Sequence, residues 1–226
     1  MAKVYLDAGH GGTDPGAVKY VREKDVNLVM AIACRDELER HGVEVKMSRI
    51  SDKNTTISTM ASEANSWSAD LVVSIHNNAG GGDGFEAYHS YLGGKGKILA
   101  QNIEAEVKKI GQNSRGLKIK KNASGTDYYG MIRLTKAPAV ICEGAFVDNA
   151  TDVKIIDTVE EQKAFGVAYA KGILKTLGID YKEPVKPVAP SGKLYKVQVG
   201  AFSQKANADA LVAKLKKDGY NAFITN

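Results

Sequence analysis

The chain has 226 residues, 43% of them hydrophobic and 25% charged, enough for one good-sized core and a small appendage. Its formal net charge of +5 suits an anionic partner as well as it suits a mildly basic protein. No basic cluster with interleaved aromatics is present, which argues against nucleic acid. The two cysteines, Cys34 in a helical pattern and Cys142 in an apolar run, read as buried reduced thiols and not as a disulfide.

Residues 1–6 lead straight into a strand without the charged-then-apolar stretch of a secretory leader, and no run approaches the length of a membrane span. The expectation is cytoplasmic synthesis, no membrane partner, and action elsewhere only after release. The apolar run Val4, Tyr5, Leu6 ends in Asp7-Ala8-Gly9-His10-Gly11-Gly12. Glycines on both sides of His10 leave room for a metal or a substrate to approach its ring. Residues 25–40 carry Val26, Val29, Met30, Ala33 and Leu38 at near-helical spacing, and Gly42 follows as a stop. Residues 43–47 alternate like a strand with one covered face. A second helix runs through Ile57, Met60, Ala61, Ala64 and Trp67, and Leu71, Val72, Val73, Ser74 and Ile75 form a short buried strand that ends in His76, Asn77 and Asn78.

After the turn at residues 80–84 come a strand over 85–89 and a helix with Ile98, Leu99, Ile103, Val107 and Ile110. Residues 111–130, polar and glycine-rich, read as a long loop on the rim of a site. A buried strand at Ala139, Val140, Ile141 and Cys142 ends in Glu143, and a final helix over 160–177 is closed by Gly178. The alternation predicts an α/β fold, a mostly parallel sheet covered by helices on both faces.

Ligands of open α/β sheets bind beyond the carboxyl ends of the strands. His10, His76 and Glu143 each follow one of the most strand-like apolar runs, and Glu23 lies between His10 and the first helix, so one sheet edge should gather all four. Two histidines and two carboxylates are the groups of a catalytic zinc site, with one carboxylate left to handle protons. Glu23 could equally serve the helix dipole. Glu86 is a rival for the proton-handling role, His89 is ambiguous, and His41 at a helix end is expected to meet terminal carbonyls.

The runs at residues 6–17, Glu23-Lys24-Asp25, residues 69–78, Gly84-Phe85-Glu86-Ala87-Tyr88 and residues 138–149 together resemble the zinc-dependent N-acetylmuramoyl-L-alanine amidases of the amidase-3 type. The resemblance covers roughly residues 1–178, in order and at the family's spacing. It departs at Ala8, often proline in the family, and at Cys142 before the glutamate. It implies one zinc ion bound by His10, Glu23 and His76, with Glu143 as catalytic acid/base. The implied reaction cleaves the amide between the lactyl group of N-acetylmuramic acid and the L-alanine of the peptidoglycan stem peptide. Asn77 is expected to bind substrate. Arg133 is expected either to steady an oxyanion or substrate carboxylate, or to be an exposed structural arginine.

Beyond the catalytic region, taken as residues 1–180, residues 181–192 form a proline-rich spacer holding three of the five prolines. Residues 193–226 carry an alternating run over 195–202, an amphipathic helix with Ala208, Leu211, Val212 and Leu215, and a second apolar run at Ala222, Phe223 and Ile224. This small βαβ module resembles one repeat of the SPOR-like wall-binding modules. A single repeat leaves sheet edges open, so it is expected to form a homodimer through residues 193–226, with Phe202 and Phe223 buried. The expected partners are peptidoglycan and anionic wall polymers. A phage endolysin and a mother-cell autolysin both fit, acting on the wall after release by a holin or by lysis; a non-catalytic wall-binding protein is the alternative.

Overall fold

The computed structural model describes residues 1–184, 197–217, 219–220 and 222–225. It divides into two compact units, Met1–Lys182 and Glu183–Asn226.

In the first unit a six-stranded sheet is built from β1 (Lys3–Ala8), β2 (Glu44–Met47), β3 (Leu71–Asn78), β4 (Phe85–His89), β5 (Ser114–Lys118) and β6 (Ala139–Phe146), in the spatial order β2-β1-β3-β6-β4-β5. Only the β4–β6 pair is antiparallel; the other four pairs are parallel. The helices are α1 (Glu23–Arg40), α2 (Ile57–Ser66), α3 (Gly94–Lys109), the single turn α4 (Gly130–Arg133) and α5 (Val159–Leu177). Helix α5 opens with a reciprocal cap, Thr158 with Glu161, and ends at Gly178, whose φ of 72° is the left-handed conformation that suits a residue without a side chain.

Alternation along the strands sorts the sheet into two unlike faces. Val4, Leu6 and Ala8 of β1, Leu71, Val73 and Ile75 of β3, and Val140 and Cys142 of β6 face the large core beneath α1, α3 and α5. Each fully buried large side chain there contributes roughly 1.5–3 kcal/mol. Both cysteines are free and buried in it. Helix α5 lies close against its neighbours because Gly166 abuts the α1 backbone at Met30 and Gly172 abuts Ile103 of α3; an added Cβ would come within 2.4 and 2.5 Å of them.

The opposite face carries Tyr5, Val72, Ala139 and Ile141 under Met60 and Ala64 of α2 and Met131 and Ile132 of α4. Those two short helices leave the carboxyl ends of the strands uncovered. The residues next along the same alternation, Asp7 on β1, Ser74 and His76 on β3 and Glu143 on β6, line an open cavity of about 360 Å³ there.

Two expectations require correction. The segment 111–130 is not an uninterrupted loop: it contains β5, which takes strand conformation from the β4 edge beside it, with only Leu117 and Gly116 among its five residues apolar. β3 ends at Asn78 as expected, but Glu143 does not close its strand: backbone pairing carries β6 past Gly144 to Phe146.

In the second unit the described residues form one helix, α6 (Lys205–Lys217), which buries no residue. Residues 197–202 and 222–224, expected in strands, are in neither helix nor strand, while residues 195–196 of the expected first strand and 185–192 of the spacer fall outside the described residues. Within a single copy of the chain Phe202 is 46% and Phe223 61% exposed; the burial expected of them was against a second copy.

Candidate metal centre

His10 stands two residues beyond β1 with φ of 63°, one of two non-glycine residues in the left-handed region among the described residues. Such a conformation costs of order 1–3 kcal/mol and persists only where surroundings enforce it. Here they do so through Arg49, which is 1% exposed. Its Nε donates to the Ala8 carbonyl at 2.8 Å and its Nη2 to those of Gly9 and Lys24 at 3.1 and 2.6 Å. Lys24 Nζ donates to the Gly12 carbonyl at 2.8 Å and pairs with Asp52 at 2.7 Å, and Asp52 accepts from the Gly12 N–H.

The loop turns His10 towards Glu23 and His76. His10 Nε2 and His76 Nδ1 each lie 3.1 Å from Glu23 Oε1, and the two rings meet edge to face with centroids 4.8 Å apart. A tetrahedral zinc ion with 2.0–2.1 Å bonds separates its donor atoms by roughly 3.3 Å, so this spacing fits the ion. Among the described residues these three side chains are the group whose donor atoms lie within 4.8 Å of one another. Two of the glycines are required by this arrangement: a Cβ on Gly9 would fall 2.2 Å from the His76 ring, and one on Gly16, whose φ is 64°, would fall 2.5 Å from Glu23 Oε2 and 2.6 Å from the His10 ring.

Each donor is held by a second group. Asp14 Oδ2 accepts from His10 Nδ1 at 2.7 Å, which directs Nε2 inward. Glu23 Oε2 accepts from the Ala17 N–H at 2.9 Å, and Oε1 accepts from the Asn77 N–H at 3.1 Å and Asn27 Nδ2 at 3.2 Å. Burial alone would raise the Glu23 pKa, but the bonds from both histidines hold it well below the usual carboxylate range. Burial works against charge on His76 as well; the bond to Glu23 and the negative charges of Glu143, Glu23 and Asp7 outweigh it and lift His76 to about 9. Glu143, the register partner of His76 across β3 and β6, is pushed up to about 7, chiefly by burial, with His76 opposing and the charges of Glu23 and Glu86 adding. Asp7, 2% exposed, accepts from the Ser74 hydroxyl on Oδ2 at 2.6 Å, and its Oδ1 has no partner. Four carboxylates (Asp7, Asp14, Glu23, Glu143) around two imidazoles, one with an orphaned buried oxygen, form an environment that favours a cation.

The remaining expected residues stand apart. Asn77 lies on the buried side of β3, 3% exposed: its Nδ2 donates to Asn27 Oδ1 at 2.8 Å and its Oδ1 accepts from the Ala145 N–H at 3.1 Å. It therefore braces Glu23 and β6 and does not face substrate, since a neighbour of His76 along a strand points the other way. Arg133 is exposed, absent from the cavity wall, and donates to the carbonyls of Asp127 and Tyr128 at 2.7 and 2.6 Å, the structural role of its two readings. Glu86 is occupied by Arg115 at 2.6 Å and Lys118 at 3.2 Å, which removes it as the proton carrier. His41 Nδ1 meets the Glu37 carbonyl at 2.7 Å, as expected of a helix end. Sequence reading missed Asp14, Arg49, Lys24 and Tyr129, which lines the cavity. Of these only Asp14, four residues from His10 in a Gly-Thr-Asp-Pro-Gly turn, had a local signal.

Residues 4–175 match the family model described as N-acetylmuramoyl-L-alanine amidase, and residues 191–226 match the SPOR domain. The chain is 34% identical over 229 residues to the sporulation-specific N-acetylmuramoyl-L-alanine amidase of Bacillus subtilis (strain 168), covering 99% of this chain and 84% of that protein. It is also 34% identical over 234 residues to the endolysin of Bacillus phage SPP1, covering 97% of this chain and 82% of that one. The catalytic domain of CwlV, an N-acetylmuramoyl-L-alanine amidase from Bacillus (Paenibacillus) polymyxa var. colistinus, superimposes with a TM-score of 0.72 at 28% identity, over 80% of this chain and 100% of that chain.

Proposed function

The chain belongs to the N-acetylmuramoyl-L-alanine amidase family, and from that premise we propose that it hydrolyses the amide between N-acetylmuramic acid and L-alanine of peptidoglycan with one zinc ion held by His10, Glu23 and His76. Zinc dependence is general in the family. The observation that carries the assignment is the meeting of His10 Nε2 and His76 Nδ1 at 3.1 Å on one oxygen of Glu23, with Glu143 opposite His76 on the next strand.

When bound, the zinc ion supplies Lewis acidity to the scissile carbonyl and to a water beside it. The rest is the work of the chain. Asp14 and the Asn77 N–H keep His10 and Glu23 aimed inward. Glu143 takes the proton of the attacking water on its carboxylate and returns it to the nitrogen of the leaving amine. A carboxylate poised near 7 does both at neutral pH. Ile57, Met60, Tyr129, Met131 and Ile141 form an apolar wall that limits water around the reacting carbonyl. A wall-binding protein that merely kept the fold would have no use for Glu143, whose burial is costly.

The SPOR match supports attachment to the wall through residues 191–226. The exposed apolar residues around α6 support its pairing with a second copy. Relatives that include an endolysin and a sporulation-specific amidase support action on the wall after release by a holin or by lysis; fractionation before and after lysis tests this.

The test of the chemistry is Glu143→Gln. It should retain one zinc by elemental analysis and the wild-type melting temperature, while release of label from purified walls falls by about 100-fold or more. Near-normal lysis by the zinc-loaded, folded variant would remove Glu143 from the mechanism.

A further inference from the structure

Glu86 is the direct partner of Glu143 across the antiparallel β4–β6 pair, so both side chains leave the same face of the sheet. Its side chain is 5% exposed, yet it carries two cations that are not buried: Arg115 Nε at 2.6 Å, 43% exposed, and Lys118 Nζ at 3.2 Å, 33% exposed. One carboxylate would be neutralised by one cation. Two cations on the one carboxylate they contact leave one positive charge unmatched at Glu86. The Arg115 guanidinium meets Glu86 through Nε alone, its Nη nitrogens donate to none of the described residues, and its plane stands 5.4 Å over the Phe146 ring at the end of β6. A guanidinium anchored at Nε presents its remaining fork to an oxyanion.

Two aromatic rings join this cluster to the cavity. Tyr129 lines the cavity, and Tyr88, two residues from Glu86 on the same face of β4, lies against it with ring centroids 4.8 Å apart. β6, β4 and β5 are neighbours in the sheet, so the backbone that carries Arg115 and Lys118 lies two strand spacings, roughly 10 Å, from that of Glu143, while their cationic heads, both on Glu86 of the intervening strand, lie closer. An extended peptide covers roughly 10 Å in about three residues.

We propose that Arg115 and Lys118 form a subsite for a carboxylate on the peptide arm of the substrate, within the first one to three residues beyond the scissile amide. The inference rests on the amidase reading given above. The peptide leaves the cavity over Tyr129 and Tyr88 and is held there by an ionic contact, with Glu86 keeping both cations in place. The same chemistry would attract anionic wall polymers, and the test separates the two.

The zinc-loaded full chain is assayed on two soluble muramyl peptides that differ only in a free carboxylate or its carboxamide at the acidic residue. Wild type should cleave the free acid with a kcat/KM about tenfold above that of the carboxamide, through KM, as the loss of a charge-assisted contact at a partly exposed site predicts. In Arg115→Gln, Lys118→Gln and the double variant this ratio should collapse stepwise towards one, while Arg115→Lys, which keeps the charge but cannot hold Glu86 and offer a fork at once, should fall between wild type and Arg115→Gln. Equal loss on both peptides, or no preference in wild type, overturns the subsite. So does an effect of the substitutions confined to polymer-bearing walls, which would make the cations a polymer contact. Wild-type protein that carries zinc and cleaves neither peptide refutes the amidase reading itself, a result distinct from the others.

Discussion

Replacing Arg49 by methionine tests whether the buried guanidinium is what holds the His10 loop in its strained conformation. Arg49 makes short bonds to the carbonyls of Ala8, Gly9 and Lys24. Gly9 keeps a second donor, Asn27 Nδ2 at 3.1 Å, so the substitution costs chiefly the bonds to Ala8 and Lys24. Charge-assisted bonds contribute about 1.5–3 kcal/mol each, giving ~3–6 kcal/mol for the pair. Burial, which also lowers the pKa of Arg49, means that removing the guanidinium recovers part of that sum, and ~3 kcal/mol remains. For a unit of this size that is a fall in melting temperature of about 6–12 °C. The metal site should suffer separately: His10 loses the restraint on its φ of 63°, and zinc affinity should fall about 10- to 100-fold, as for other groups that orient a ligand. Calorimetric melting of the metal-free protein and zinc titration against a competing chelator read the two effects. Arg49→Lys should recover little of either, because an ammonium cannot span carbonyls on β1, the loop and α1. Arg49→Met with wild-type zinc affinity and unchanged melting would refute the reasoning.

Zinc should displace protons from the metal-free protein: with His76 lifted to about 9, its imidazole is charged at pH 7 and must be neutral to bind. Titration calorimetry at pH 7 in buffers of differing ionisation enthalpy should report at least one proton released, since His10 is raised as well, and apparent affinity should climb up to pH 9; no release would place His76 outside the site. The same raised pKa stabilises the metal-free fold below the unfolded value of 6.5, and that stabilisation is lost as pH rises through 9, so denaturant midpoints should fall across this window. Gly9→Ala should abolish zinc binding while changing the far-ultraviolet dichroism little, since the new methyl would meet the His76 ring at 2.2 Å; a zinc-replete variant would contradict the packing of that ring. Full-length protein should scatter light as a dimer and residues 1–180 as a monomer; two monomers at high micromolar concentration would exclude pairing through the C-terminal unit.

What the amino-acid order determined by itself was the alternation of elements and the residues at their ends. Apolar runs of strand length, helical spacing between Val26 and Leu38, and the glycines after the helices are properties of neighbouring residues, so they were legible without a fold, and so was the gathering of His10, Glu23, His76 and Glu143 at one sheet edge. The tertiary structure decided everything that depends on strand partners and faces. β5 is a strand because β4 offers it an edge, not because its residues favour one. Asn77 is a brace and His76 a donor because adjacent strand residues point to opposite faces, and only the packed sheet reveals that the α2 and α4 face is the one left open. Glu86 and Glu143 are both strand glutamates in sequence; Arg115 and Lys118 occupy the first and leave the second facing the cavity. Arg49 lies 39 residues from His10 in the chain and has no motif to mark it. Its role exists only once β2 lies beside β1 and its side chain meets the carbonyls of the loop that carries His10.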